Sequence, residues 1–125
     1  MGSEADLTLL QGAWNIDSLE VDGNSVPKMF FSGSQIVIDG SRFKTKAMGA
    51  SYEGTVTIDE STNPKRLTIA FDLGPEKGNN SYGIYELNGD DWRLCLTMRG
   101  GSFPIEFRTT GGSGLAMESL VRATK

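Results

Sequence analysis

The side chains in this sequence that could do chemistry are a scatter of carboxylates, three tyrosines and one thiol, with histidine absent and Cys95 the single cysteine. A thiol nucleophile needs a base beside it, and zinc sites draw on histidine and several cysteines. Cys95 alternates with Leu94 and Leu96, which puts it on the outer face of a strand beside Arg93. An arginine there could lower its pKa, but a buried or partly covered structural thiol is the better reading. Asp59 with Glu60, and Asp90 with Asp91, are pairs that would hold a hard cation only loosely, since calcium takes roughly six to eight oxygens from a spaced loop. Glu20, Glu53, Glu106 and Glu118 can approach across strands, yet their spacing singles out no pair for acid–base work. Gly111-Gly112-Ser113-Gly114 lacks the Gly-Lys-Ser/Thr of a phosphate loop and precedes a strand, so it reads as a turn. No catalytic residue, metal or cofactor is expected.

These groups must be positioned by strands. Asp6 suits the cap of a helical turn over 7–11, ended by Gly12. Beyond it, runs of alternating polarity over 13–21, 34–38, 42–48, 51–58, 66–72, 81–87, 92–98 and 115–123 read as strands, with a shorter piece over 105–109. Asp39-Gly40 signals a two-residue hairpin that sets Ile36 and Ile38 on one face with Phe43 and Thr45. A turn at Gly49-Ala50 passes that face to Tyr52, Gly54, Val56 and Ile58, and the strand after it adds Leu67, Ile69 and Phe71. For the 81–98 hairpin, turns at Asn88-Gly89 and at Gly89-Asp90 give the same faces. The second is preferred because it sets Glu86 opposite Arg93. Arg42, Lys44 and Lys46 form a basic row on an outer face, read as solvated surface. Eight to nine short strands, each hairpin handing one apolar face to the next, describe an all-β, antiparallel, up-and-down, lipocalin-like barrel with a short N-terminal helical turn.

The chain has 125 residues, enough for one core; residues 6–125 read as a single barrel domain and 1–5 as disordered or appended sequence. Its net charge of −4 argues against nucleic acid as a partner. No apolar run approaches the roughly 20 residues of a transmembrane helix. Met1-Gly2-Ser3 looks like residues added for expression, so a removed export signal, and with it a periplasmic or secreted location, stays open.

Gly12-Ala13-Trp14 at the start of the first strand resembles the Gly-x-Trp signature of lipocalins, and Arg122 falls where their closing basic residue packs across that tryptophan. From Leu10 onward the chain resembles a lipocalin-like domain family abundant in planctomycete bacteria. The resemblance is carried by Leu10-Gln11-Gly12-Ala13-Trp14, Ser18-Leu19-Glu20-Val21-Asp22-Gly23, Gly74-Pro75-Glu76-Lys77-Gly78, Gly83-Ile84-Tyr85-Glu86-Leu87, Leu94-Cys95-Leu96 and Gly112-Ser113-Gly114-Leu115. It implies a calycin-like barrel of bacterial origin and suggests export, without supplying a ligand or a reaction. Met29-Phe30-Phe31 and Trp92 depart from the family's usual pattern.

In an up-and-down barrel the loops 22–33, 48–51, 73–80 and 99–104 gather at one mouth. They would bring Met29, Phe30, Phe31, Met48, Met98 and Phe103 together, an adaptable apolar rim for a small hydrophobic molecule. Inside, Ile36, Phe43, Tyr52, Phe71, Tyr85, Trp92 and Leu94 are the candidate ligand contacts, with the tyrosine hydroxyls as polar anchors. The same bulk equally suits a solid core, because an eight-stranded barrel is just wide enough for its own side chains to fill. Trp14 and Arg122 are assigned to closing the base by a cation–π contact. Three functions are therefore weighed. A carrier or sensor of a hydrophobic or amphipathic molecule requires an accessible interior. A protein- or membrane-docking module with a filled barrel requires exposed phenylalanines. An enzyme working without histidine requires a buried ionisable group with a strongly shifted pKa. Oligomeric state is not legible in the sequence.

Overall fold

A computed structural model describes residues 2–47, 49–98 and 100–123, with the backbone alone for 2–4 and 47. Helix α1 (Gly2–Leu9) leads into β1 (Gly12–Val21), the two-residue β2 (Asn24–Ser25) and a 3-10 turn at Lys28–Phe30. There follow β3 (Gln35–Asp39), β4 (Arg42–Ala47), β5 (Ala50–Asp59), β6 (Lys65–Leu73), β7 (Asn80–Asn88), β8 (Asp91–Thr97) and β9 (Leu115–Arg122). Each strand from β3 to β9 pairs antiparallel with the next, and β1 pairs with both β3 and β9, so eight strands close a barrel and β2 adds a ninth to its rim.

Period-two alternation decides what fills it. Trp14, Ile36, Ile38, Phe43, Val56, Ile58, Leu67, Ile69, Tyr85, Trp92, Leu94, Leu96 and Leu120 form one buried cluster with Leu10. In two of the hairpins glycine takes the first turn position with positive φ, 63° at Gly40 and 59° at Gly89, as tight primed turns require. The second turn is the expected one: Glu86 lies opposite Arg93 and accepts its hydrogen bond at 2.8 Å. The first is Gly40-Ser41 rather than Asp39-Gly40, since Asp39 pairs with Arg42; likewise Ala47 pairs with Ala50, one position from the expected turn. Both shifts preserve the faces, because they move the ladder by an even number of residues.

The base is plugged by α1, which differs from the expected helical turn over 7–11. The helix begins earlier, and Asp6 lies inside it rather than capping it. Its carboxylate is spent on tertiary contacts, accepting hydrogen bonds from the Tyr85 hydroxyl at 2.7 Å and from Lys65 Nζ at 2.9 Å. Gln11 ties the first hairpin to the same end: Gly40 N–H donates to its Oε1 at 2.7 Å and its Nε2 donates to the Gly40 carbonyl at 2.8 Å. Above them Trp14 is fully buried, its Nε1–H donating to the Leu10 carbonyl at 2.9 Å, with the Arg122 guanidinium 4.3 Å from its ring. Arg122 also donates to the carbonyls of Leu9 and Gln11 and to Asp90.

The expected strand over 105–109 is absent. Residues 100–114 instead form an irregular strap across the outer wall of β7 and β8, held by side chains. Phe103 packs edge-on to Tyr82 and under Arg66, Phe107 lies under Arg93, and Thr109 donates to Glu20 while accepting from the Gly23 N–H. The strap covers Ile84 and Cys95, two buried residues that point away from the barrel interior and lie directly opposite each other. Beneath it β7 and β8 press so close at Gly83 that an added Cβ would overlap Leu96 and come 2.9 Å from the Cys95 carbonyl oxygen.

Candidate functional site

The barrel interior is divided by height. Toward the base every inward side chain is packed, and five of the expected ligand contacts, Ile36, Phe43, Tyr85, Trp92 and Leu94, are buried core. Tyr85 is not available as a polar anchor, because its hydroxyl is committed to Asp6; burial and that carboxylate both raise its pKa. Trp92 stacks edge-on against Trp14 at 5.3 Å, and its indole N–H has no partner among the described residues.

Toward the mouth the inward side chains are only half-buried: Leu19, Thr45, Tyr52, Phe71, Ala116 and Glu118 all keep contact with solvent. Their inward direction follows from the register, in which Thr45 pairs with Ile36 and Tyr52, Ala116 with Leu96, and Glu118 with Leu94 and Leu19. Phe71 bridges the two halves, edge-on to Phe43 at 6.1 Å and to Tyr52 at 6.3 Å. Of the expected interior contacts, Tyr52 and Phe71 are thus the two left facing the opening.

Glu118 is the feature that spacing alone did not single out. It stands on the inner wall with apolar neighbours on four sides, Leu94 and Leu19 across the strands and Ala116 and Leu120 along its own. Loss of water pushes its carboxyl up to about 7. It has no hydrogen-bond or ion-pair partner among the described residues. A signal was present in the sequence: if Arg122 packs inward over Trp14, period two puts Leu120, Glu118 and Ala116 on the same face.

The expected apolar rim is only partly assembled. Met29 is 81% exposed and Phe30 52% exposed on the 3-10 turn, whereas Phe31, at 5%, is turned in and buried. Met98 is half-buried at the end of β8, beside Gly114 and Leu115 in a recess of about 640 Å3 between the strap and the β6–β7 connection. Phe103 is not at the mouth; its ring belongs to the strap on the outer wall, because Tyr82 and Arg66 offer it a flat face there. Met48 lies outside the described residues. A groove of about 420 Å3 opens at the rim of β3–β5, lined by the outward Val37, Lys44, Lys46 and Glu53 together with the inward Thr45 and Tyr52. Arg42 of the outer basic row is engaged there by Asp72 at 2.6 Å and Glu53 at 3.2 Å.

Cys95 is buried under the strap with its thiol 3.8 Å from the Arg108 carbonyl, and burial raises its pKa. Removing the strap's anchors with Phe107→Ala and Thr109→Val should speed labelling of Cys95 by a thiol reagent by about tenfold or more, since labelling follows local opening. An unchanged rate would show that the strap does not shield the thiol. Among the described residues, no group of three or more His, Cys, Asp or Glu is arranged to hold a metal ion. No described helix is long and apolar enough to cross a membrane.

The arrangement is that of a closed antiparallel barrel with a plugged base and a half-lined mouth. No protein family, curated protein or solved structure gives a significant match to the chain.

Proposed function

We propose that this protein is a lipocalin-like, non-enzymatic barrel that takes a small hydrophobic or amphipathic molecule into its mouth half. The observation that carries the reading is the split interior: below, a packed core; above, inward apolar side chains, Leu19, Phe71 and Ala116, that are only half-buried. Apolar surface facing inward and still in contact with water gains from being covered by a ligand at roughly 25 cal/mol per Å2. The lipocalin-like assignment is supported by Gly12-Ala13-Trp14 and by the Arg122 guanidinium 4.3 Å from the Trp14 ring. Glu118 meets the one condition set for an enzyme, a shifted ionisable group. Among the described residues, however, no second polar group is bonded to it to complete a reacting pair.

Titration of the delipidated protein with an environment-sensitive alkyl probe should show saturable one-to-one binding, weakened by Ala116→Trp, which fills the opening. Absence of binding at high micromolar probe would overturn the reading. A second reading has its own observation, the exposed Met29 and Phe30, which suit docking onto a protein or membrane surface. Co-sedimentation with vesicles that is lost in Met29→Ser, Phe30→Ser would favour it.

A further inference from the structure

We propose that Glu118 is the specificity residue of the barrel mouth and that the ligand it selects is an amphipathic amine, its ammonium head on the Glu118 carboxylate and its hydrocarbon tail along the half-buried inner wall. This rests on the reading of the mouth as a ligand site and goes further by naming the ligand class.

The argument begins with placement. Glu118 sits one inward position below Ala116 at the opening and one above Leu120 in the packed core. It therefore lies at the floor of the accessible part of the barrel. A carboxylate surrounded by apolar side chains is poorly solvated, and an unpaired one gains most from a donor that also carries positive charge. A metal ion would need several more oxygens than one carboxylate supplies. An organic ammonium needs only that carboxylate and an apolar wall for its tail, which Leu19, Tyr52 and Phe71 provide on the same inner surface.

The rest of the inner wall leaves this role to Glu118. From the flanking strands, β8 turns Trp92, Leu94 and Leu96 inward, and β1 turns Trp14, Ile16, Leu19 and Val21. Of the other charged or titratable side chains on that wall, Arg122 is held on Trp14, and Tyr85 and Lys65 are held by Asp6 at the base. Among the described inward-facing strand residues, Tyr52 is the one other titratable group toward the mouth. Because burial raises the Glu118 pKa to about 7, the free site near neutral pH is partly protonated. An arriving ammonium displaces that proton, so binding and proton release are linked.

The test compares decylammonium, decanol and decanoate, three ligands with one tail and different heads, on the wild-type protein and on Glu118→Gln. The wild type should bind decylammonium tightest, by about tenfold or more over decanol. Glu118→Gln should lose that preference, and a cooperative urea melt shows that the variant is folded. Calorimetry in buffers of different ionisation enthalpy should detect proton release with decylammonium in the wild type. If decanol or decanoate binds the wild type as tightly as decylammonium, the inference fails and the ligand site stands; that comparison does not depend on the variant. The same holds if Glu118→Gln keeps the preference. If none of the three binds the wild type, the inference falls together with the reading of the mouth.

Discussion

Trp14→Ala should lower the free energy of unfolding by about 3–5 kcal/mol, the range for removing a large aromatic from a packed core. Three kinds of contact disappear at once. The indole is fully buried against Trp92 at 5.3 Å, its N–H satisfies the Leu10 carbonyl, and its face carries the Arg122 guanidinium. Leu10 is itself fully buried, so its carbonyl would lose a hydrogen-bond donor where the strand meets the helix that plugs the base. Arg122→Ala should cost less, about 1–2 kcal/mol, because it removes one cation–π contact and exposed or part-buried hydrogen bonds but leaves the core filled. Urea denaturation of both variants orders the two. A Trp14→Ala cost below about 1 kcal/mol, outside that range, would mean that the base is not the packed plug described.

Glu118→Gln should make the protein more stable above neutral pH and remove a pH dependence the wild type shows. The sign follows from where the proton prefers to be. The folded-state pKa of Glu118, about 7, lies above its ordinary 4.5, so the folded protein holds the proton more tightly than the unfolded chain. Below the ordinary value both states are protonated and the residue carries no penalty. Between the two values stability falls as pH rises, with a ceiling slope of about 1.4 kcal/mol per pH unit, and above the folded value the penalty is constant. Water at the mouth keeps the slope below that ceiling. Denaturant melts should therefore show Glu118→Gln ahead of wild type by about 1–3 kcal/mol near pH 8 and level with it near pH 4. Parallel curves across that window would show that the carboxylate is well solvated in the folded state.

The strands could be read from the sequence because what specifies them is local. Alternation assigns faces, and a glycine with positive φ at Gly40 or Gly89 fixes each hairpin within a few residues of the turn. Even the choice between two registers at the β7–β8 turn was within reach, since one of them opposed Glu86 to an arginine and the other to an aspartate. The strap could not be read in the same way. Residues 100–114 have no period, and what holds them lies far off in the chain, at Arg66, Tyr82 and Glu20. A clue was nonetheless present: Ile84 and Cys95 are apolar residues on the outer face, and a pair so placed requires cover. Asp6 misled for a related reason. Its type and position fit a helix cap, and only the folded barrel reveals Tyr85 and Lys65 as competing partners. At the site, the sequence named Tyr52 and Phe71 but spread its other candidates over the core and the outer wall, because alternation assigns a face and says nothing of height along the barrel.

The closure of β1 onto both β3 and β9 also governs how such molecules meet one another. Each of the eight barrel strands has neighbours on both sides, and the outermost strand of the ladder, β2, offers only Asn24 and Ser25. A free strand edge is the template on which proteins add one another's backbones and grow into fibrils. This barrel withholds that template along each of its eight strands.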